Sequence, residues 1–257
     1  MEGWELETLT AQFGEKLYGA VSNPTVRTGP VPPSTVGKPR ASVIGAGCLR
    51  QVQYQTWAIP QTNSSDTPEA QLPSKIGLAL EPLVLRFMQG AGATLLTGTL
   101  QPSVSSELPW TATPDFLIEF QGAPMLVQVK WMGYLRYLDL IKQGSVLKAH
   151  APYYWQICAE LANTPEVEAG WLLAFPFDGG AVRGKTRFAK DAPVVPPFYV
   201  ELIQRNEESQ EVLEQIAGVV SATHPDDSLL PRGFNIEKDW QCRYCSWRER
   251  CGADGEY

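Results

Sequence analysis

The sequence has few histidines and no long apolar run, and both shortages limit its chemistry. Two histidines in 257 residues, His150 and His224, exclude sites built from three imidazoles and weaken any Ser-His-Asp or Cys-His catalysis. No apolar stretch approaches the ~18 residues of a membrane span, and residues 1–5 lack the basic and then apolar layout of a secretory signal. We therefore expect a soluble, cytoplasmic protein of a prokaryotic cell or a virus-infected host cell, with no membrane partner.

Cysteine is present in an odd number, five, and net charge is negative, at −7. Five cysteines without a secretory signal argue against a disulfide framework and favour ligation of a metal or cluster. The negative charge argues against a surface that is basic throughout, yet basic residues gather between Lys130 and Lys148, and acidic residues between Glu201 and Glu214. Because the chain has only two histidines, catalysis would have to rely mostly on carboxylates, lysines and cysteines.

The hydrophobic pattern predicts an arm followed by one α/β domain. Residues 1–40 hold a short amphipathic helix, Leu6–Tyr18, and a run rich in Pro, Gly, Ser and Thr, whereas residues 41–257 form the domain. Its order indicates a mixed central sheet flanked by helices, with an antiparallel hairpin at the centre. The predicted elements are a helix at Cys48–Trp57, a polar loop at Asn63–Pro73, a helix from an N-cap at Ser74 to Gly90 with an interruption at Pro82, strands at Ala93–Leu96, Trp110–Thr113, Asp115–Phe120 and Met125–Trp131, helices at Tyr137–Lys148 and Pro152–Ala162, strands at Ala169–Phe175 and Phe198–Gln204, and a helix at Glu207–Ser221.

The central hairpin gathers side chains that can carry chemistry. Gln128 and Lys130 are two residues apart on a strand, so they point to the same face. If the strands pair symmetrically about a turn at residues 121–124, Asp115 lies opposite Lys130 and Leu117 opposite Gln128. A carboxylate, an amide and an ammonium in one place suit metal-assisted phosphodiester hydrolysis. An ordinary cross-strand ion pair of Asp115 and Lys130 would leave the same pattern.

The residues Pro114-Asp115 and Gln128-Val129-Lys130 resemble the motif of the PD-(D/E)XK nuclease superfamily. The resemblance implies a restriction-endonuclease-like core. It also implies that Asp115, the Gln128 side chain and the Val129 carbonyl hold Mg²⁺ or Mn²⁺, while Lys130 serves the nucleophilic water. Most of the superfamily has Glu or Asp at the position of Gln128. A natural Gln-x-Lys variant, which we favour, an inactive domain and a deliberately replaced glutamate all remain open.

Two helices contribute further candidates to this site. The segment Gly77–Glu81 is similar to the Gly-x-x-x-Glu of RecB-like and phage recombination exonucleases, which implies that Glu81 faces the metal; a helix-end glutamate is the alternative. Tyr153, Tyr154 and Gln156 resemble the family's Gln/Tyr helix, which contacts the DNA backbone near the cleaved phosphate.

A tyrosine usually follows that glutamine by four residues, but here the position is Glu160. The resemblance therefore assigns the tyrosine role to Tyr153 or Tyr154, although half-buried packing would explain both side chains equally well. Arg50 and Lys142 are further candidates for contacts with DNA phosphates, and exposed basic residues are as often simply solvated.

Four of the cysteines form a ligand pattern. Cys242-x2-Cys245-x5-Cys251, together with the distant Cys48, suits either tetrahedral zinc or an iron–sulfur cluster. The segments around them resemble the split cluster motif of CRISPR-associated RecB-like exonucleases and of the AddB nuclease domain. This implies a structural [4Fe–4S] cluster that ties the C-terminal tail to the N-terminal helix of the domain, with zinc as the alternative. Cys158 is most simply a buried apolar residue.

The combined resemblance implies a metal-dependent DNA nuclease, an exonuclease on single-stranded DNA or DNA ends, in recombination, repair or CRISPR adaptation. A recombination, helicase or CRISPR-adaptation protein is the expected partner. The main rival is a catalytically silent DNA-binding or adaptor module, because the neutral amide of Gln128 is a weaker ligand for a hard cation than a carboxylate. Residues 179–186 match the P-loop pattern, but no helical period follows Thr186, so a P-loop ATPase is a remote alternative.

Overall fold

A five-stranded mixed sheet lies at the centre of the fold, with the strands in the order β1-β2-β3-β4-β5. The structure is a computed structural model that describes residues 8, 10–13, 15–16, 38–62, 68–96, 108–176, 196–243 and 245–255. Strands β3 and β4 are parallel, and the other neighbours are antiparallel. The strands are β1 (Thr94–Leu95), β2 (Phe116–Phe120), β3 (Ala123–Met132), β4 (Ala169–Pro176) and β5 (Tyr199–Gln204).

The helices lie on both faces of this sheet, and they match most of the predicted pattern. The labelled helices are α1 (Ala41–Ile44), α2 (Leu49–Thr56), α3 (Pro68–Gly90), α4 (Tyr134–Gln143), α5 (Val146–Ala162), α6 (Glu207–Ala222), α7 (Trp240–Arg243) and α8 (Arg248–Ala253). None of the helices in these ranges is both long enough and apolar enough to cross a membrane.

Alternating side chains of the sheet enter two separate cores. Leu126 and Leu172 join a core completed by residues of α4, α5 and α6. Their neighbours Val127 and Trp171 point the other way, into a core that includes Val84 of α3. The alternation follows from the two-residue period of a strand. Strands β3 and β4 are buried on both faces, which explains their near-continuous apolar sequence.

The described residues of the predicted N-terminal helix are helical and belong to the second core. Phe13 is fully buried, and its ring stacks on Trp171 with a centroid distance of 4.0 Å. The same ring meets the edge of Phe120 at 5.0 Å, and the Trp171 indole N–H donates to the Thr10 hydroxyl at 3.0 Å. The helix is therefore anchored on the sheet. The proposed division at residue 40 stays a prediction.

The hairpin between β2 and β3 has a tighter turn than expected. Phe120 pairs with Ala123, so the loop has two residues, Gln121 and Gly122, both with positive φ (53° and 82°). Positive φ at both positions gives the primed turn that matches the twist of antiparallel strands. The predicted four-residue turn, and with it the pairing of Asp115 with Lys130, is wrong by two residues.

Other predicted boundaries also need correction. The third helix begins at Pro68 rather than Ser74 and continues through Pro82, so the second half of the predicted polar loop is helical. Helix α4 ends at Gln143 because Gly144 adopts a left-handed conformation (φ 62°), so the helix predicted to reach Lys148 is split.

The segment Trp110–Thr113 is not a strand. Its residues make only isolated bridges, one of them between Thr111 and Arg40, and the Trp110 indole N–H donates to the carbonyl of Ala159 at 3.1 Å. The P-loop-like residues 179–186 lie outside the described residues.

Candidate active site and cysteine pocket

Asp115 is held at the entrance to β2 by two hydrogen bonds from β3. Its Oδ2 accepts from the Gln128 Nε2 at 2.7 Å and from the main-chain N–H of Val129 at 2.6 Å. The corrected register explains both contacts, because extending the ladder past Phe116 and Val127 brings Asp115 beside Gln128. A shift of two residues keeps every side chain on its predicted face. Burial raises the pKa of Asp115, against the opposing effects of Lys130 and these hydrogen bonds.

Gln128 is 2% exposed and uses only one end of its carboxamide. Its Nε2 donates to Asp115, whereas its Oε1 is buried and has no hydrogen-bond partner among the described residues. A buried oxygen without a partner destabilises a fold unless something binds it. The atom is an available ligand for a cation beside the carboxylate of Asp115.

A second chain of hydrogen bonds begins at Lys130. Its Nζ donates to the Gln156 Oε1 at 2.9 Å, and the Gln156 Nε2 donates to the Glu160 Oε1 at 2.8 Å. The Lys130 ammonium also lies 5.0 Å from the ring centroid of Tyr153, at cation–π distance. Gln156, Glu160 and Tyr153 all belong to α5, so this helix places two groups against the ammonium and a third, Glu160, behind Gln156.

Glu81 completes the group from the opposite side, on α3. Burial raises the pKa of Glu81 to about 7, the negative charge of Asp115 adds to the increase, and Lys130 opposes it. The influence of Asp115 and Lys130 on this pKa places Glu81 within electrostatic range of both residues. The structure therefore brings the predicted residues Glu81, Asp115, Gln128, Lys130 and Gln156 to one end of the sheet.

Glu160 is the member of this site that the sequence did not predict. It is fully buried, and its Oε2 lacks a hydrogen-bond partner in the described part of the chain. Burial raises the pKa of Glu160 well above its ordinary value, Asp115 adds to the shift, and Lys130 opposes it. The available signal was an acidic residue one turn after Gln156, inside the otherwise apolar stretch Ile157–Ala162.

The oxygen donors of the candidate active site are of the chemical type that binds a hard divalent cation. They do not, however, include three charged ligands placed around one point. Glu81 and Asp115 offer carboxylates and Gln128 offers an unpartnered amide oxygen, and oxygen donors are those that Mg²⁺ and Mn²⁺ prefer. Within the described ranges, no three His, Cys, Asp or Glu side chains are placed to hold one metal ion. Neutral oxygens would therefore have to join the carboxylates. The role of the Val129 carbonyl stays a prediction.

The residues predicted to contact DNA are placed in different surroundings. Lys142 is exposed in the last turn of α4, and Tyr153 is partly buried beside Lys130. The Tyr154 hydroxyl lies 3.4 Å from the Ser209 hydroxyl, on the side of α6. Of the two tyrosines, Tyr153 is therefore the one beside the candidate active site.

Arg50 does not fit its predicted role. It is 1% exposed, and its guanidinium donates to the carbonyls of Leu230 (2.8 Å) and Gly255 (3.0 Å) and to the Cys251 sulfur (4.0 Å). A buried guanidinium with these partners cannot reach a DNA phosphate. The prediction is corrected because α2 turns this residue inward, toward the C-terminal segment.

The four predicted ligand cysteines line one pocket between α2 and the C-terminal segment. Cys48 is the N-cap of α2, and the pocket, which opens to solvent, also has Tyr54 and Trp247 in its wall. Burial raises the pKa of Cys242, and the neighbouring thiols add to the increase. The thiols contributed to this pocket belong to Cys48, Cys242, Cys245 and Cys251.

None of the five cysteines forms a disulfide. Cys158 is buried in the core among residues of α5, away from the other four, as predicted. Four thiols around one mostly apolar pocket have the donor chemistry of a zinc or iron–sulfur site, although, in the part of the chain that the structure describes, no three of them are placed to hold a single metal ion.

No family model matches the sequence, and no curated protein matches it. Among solved structures, the fold is similar to an alkaline exonuclease, LHK-Exo, from Laribacter hongkongensis, with a TM-score of 0.49, 15% identity, and coverage of 73% of this chain and 89% of that one. The complex of LHK-Exo with dAMP gives the same TM-score at 16% identity, with coverage of 73% and 89%. SSO0001 is similar over 98% of both chains, with a TM-score of 0.51 and 16% identity.

At this identity the likeness to SSO0001 is evidence for the fold alone. The sheet order, the hairpin and the flanking helices of this chain are those of the mixed α/β core that the sequence predicts. The chain therefore has the predicted restriction-endonuclease-like α/β core.

Proposed function

We propose that this protein is a metal-dependent DNA nuclease that acts as an exonuclease on single-stranded DNA or DNA ends. One observation carries the proposal. The Asp115 carboxylate, the Gln128 Oε1, which has no partner among the described residues, and the Lys130 ammonium meet where β2 begins and β3 ends, with Glu81 in electrostatic range. Hydrolysis of a phosphodiester requires metal ligands next to a positioned positive charge, and here the Lys130 ammonium supplies that charge.

The residues divide the work of this reaction between them. Mg²⁺ or Mn²⁺, when bound by Glu81, Asp115, the Gln128 Oε1 and the Val129 carbonyl, supplies Lewis acidity at the phosphate. Lys130 is held by Gln156 at 2.9 Å, so the direction of its ammonium is set before substrate arrives. A preoriented ammonium stabilises the negative charge that develops on the phosphate oxygens and can orient the attacking water.

DNA is positioned by the same end of the sheet and by α5. The Tyr153 ring borders the Lys130 ammonium, and the exposed Lys142 lies in the preceding helix. An aromatic face beside a cation suits a strand whose bases stack and whose phosphates need neutralising. Gln156 and Tyr153 are our candidates for contact with the strand near the cleaved bond. Recombination, repair or CRISPR adaptation is the proposed setting, with a helicase, recombination or adaptation protein as partner.

The four-cysteine pocket is proposed to hold a structural [4Fe–4S] cluster. Support comes from the convergence of Cys48 with three cysteines that lie about 200 residues later in the sequence. A bound cluster would close this long loop and stabilise the folded chain against its unfolded ensemble. Zinc is the alternative occupant, and metal content distinguishes the two.

One observation favours a second function, a catalytically silent DNA-binding or adaptor module. The Gln128 carboxamide is neutral, and it donates a hydrogen bond to the very carboxylate that would hold the metal. An amide that occupies Asp115 as a donor competes with a cation for the same oxygen. If this pairing persists in the presence of metal and DNA, the protein binds DNA without cleaving it.

A cleavage assay with Mn²⁺ on end-labelled single-stranded and duplex DNA tests the proposal. We expect cleavage by the parent and a loss of about 10²-fold or more in Asp115→Asn and Lys130→Met. Lys238→Ala, at an exposed lysine in the C-terminal segment, is the matched control and should cleave like the parent. DNA binding without cleavage by the parent would instead support the silent module.

A further inference from the structure

The burial of the Glu160 carboxyl group is not explained by a contribution to fold stability. It is fully buried in α5, between Ala159 and Leu161 of an apolar core. It has one hydrogen-bond partner, the Gln156 side chain, while its Oε2 has none among the described residues. Burying a carboxyl group with one oxygen unsatisfied is unfavourable, and an apolar side chain of similar size would avoid this penalty.

The one contact of Glu160 has a directional consequence. Gln156 has an acceptor end and a donor end, and here Oε1 receives the Lys130 ammonium while Nε2 donates to Glu160. A carboxamide turned by 180° would present its N–H₂ group to the ammonium, so two donors would face each other. The Glu160 carboxyl oxygen accepts a hydrogen bond only in the observed orientation, because in the turned orientation it would face the Gln156 amide oxygen. The buried carboxyl thus selects the orientation that Lys130 needs.

We propose that Glu160 is a positioning residue: it fixes the Gln156 carboxamide so that Lys130 is held in its working direction. The inference rests on the proposed nuclease function. The role acts through a hydrogen-bond acceptor, not through a charge. It is therefore distinct from metal binding, and glutamine at position 160 can replace glutamate because its side-chain oxygen accepts the same bond.

The chain contains a matched control for this contact. On α6, the Gln210 Nε2 donates to the Glu214 Oε1 at 2.9 Å, with the same spacing of four residues but on an exposed surface. Glu214→Leu removes a similar hydrogen bond, but one that does not orient a glutamine toward the Lys130 ammonium. Comparing Glu160→Leu, Glu160→Gln and Glu214→Leu separates the loss of a helix side-chain pair from the loss of positioning.

Steady-state cleavage and thermal unfolding of these variants, with the full chain, test the proposal. For Glu160→Leu we expect kcat to fall about tenfold or more, with KM within about twofold. A modestly lower Tm is also expected, because the buried Gln156 Nε2 loses its acceptor. Glu160→Gln should retain kcat within about threefold, and Glu214→Leu should match the parent. A full kcat in Glu160→Leu, or a loss in Glu160→Gln equal to that in Glu160→Leu, would overturn the proposal.

A measurement without catalysis keeps the two proposals separate. Hydrogen exchange of the Gln156 side-chain amide, followed by NMR in the parent, should be much slower than that of Gln210, because its donor is buried and bonded. Exchange as fast as in Gln210 would overturn the positioning role even in an active enzyme. A parent that shows slow exchange but no cleavage would reject the nuclease function and leave the geometry of Gln156 established.

Discussion

Gln128 and Asp115 form a direct hydrogen bond, with the amide Nε2 2.7 Å from the carboxylate Oδ2. The carboxylate is therefore stabilised by a neutral donor instead of facing a second carboxylate. With glutamate at position 128, two acidic groups would meet in a partly buried site, and like charges there favour protonation of one of them. The glutamine lets the site form without a cation while its free Oε1 stays available to one.

Replacing Gln128 with glutamate should make folding depend on metal. In Gln128→Glu the donor to Asp115 is lost and a like charge is added, so we expect the metal-free protein to lose about 1–3 kcal/mol of unfolding free energy. Added Mn²⁺ should restore most of this loss, because a second carboxylate binds a hard cation better than an amide does. Urea unfolding with EDTA or with Mn²⁺ measures both effects. Gln204→Glu, at an exposed position of β5, should show neither effect.

The pKa of Glu81 predicts how stability depends on pH in metal-free protein. Burial and Asp115 raise the pKa of Glu81 to about 7, so between pH 4.5 and 7 the folded state holds a proton that the unfolded state has released. The contribution of this group to stability is complete below pH 4.5 and is lost as pH rises toward 7. Thermal unfolding in EDTA should show that Glu81→Gln loses less stability than the parent over this interval. Parallel pH curves for the two proteins would contradict the raised pKa.

Removing one pocket cysteine should have effects that removing Cys158 does not. Cys242→Ser takes one of four ligands from the pocket, so we expect loss of bound iron, loss of visible absorption and a lower Tm. Cys158→Ala removes a buried sulfur from the helical core and should keep a parental metal content. Elemental analysis and absorption spectra are the measurements. Colourless parent protein with stoichiometric zinc would reject the iron–sulfur cluster, while the four cysteines would still be metal ligands.

Substitution of Arg50 should lower stability, whereas substitution of Lys142 should weaken DNA binding without changing stability. Arg50→Met leaves the carbonyls of Leu230 and Gly255 without their buried donor, so we expect a loss of about 3 kcal/mol in unfolding free energy. Lys142→Ala, at an exposed helix end, should leave stability unchanged and weaken DNA binding, most clearly at low salt. Urea unfolding and fluorescence anisotropy test the pair. Normal stability in Arg50→Met would show that the buried guanidinium is dispensable.

Much of the fold follows from local pattern. The apolar runs at Ala169–Phe175 and Met125–Trp131 predict β4 and β3 closely, and the Glu207–Ser221 period predicts α6 within one residue. Errors fall where long-range contacts compete with local signals. Trp110–Thr113 is predicted as a strand, yet Trp110 is buried against α5 and the segment makes isolated bridges instead of a ladder. Pro82 reads as a break, yet α3 continues through it.

Sequence alone determined which residue types meet at the hairpin, because the two-residue period of a strand sets the face of Asp115, Gln128 and Lys130 even when the register moves by two. Tertiary structure decided which of them bond: a two-residue turn pairs Asp115 with Gln128 and leaves Lys130 to Gln156. It alone decided that Arg50 points inward and that Glu160 is buried behind Gln156. The burial of a charged side chain depends on which element covers it, and one-dimensional spacing carries no information about that partner.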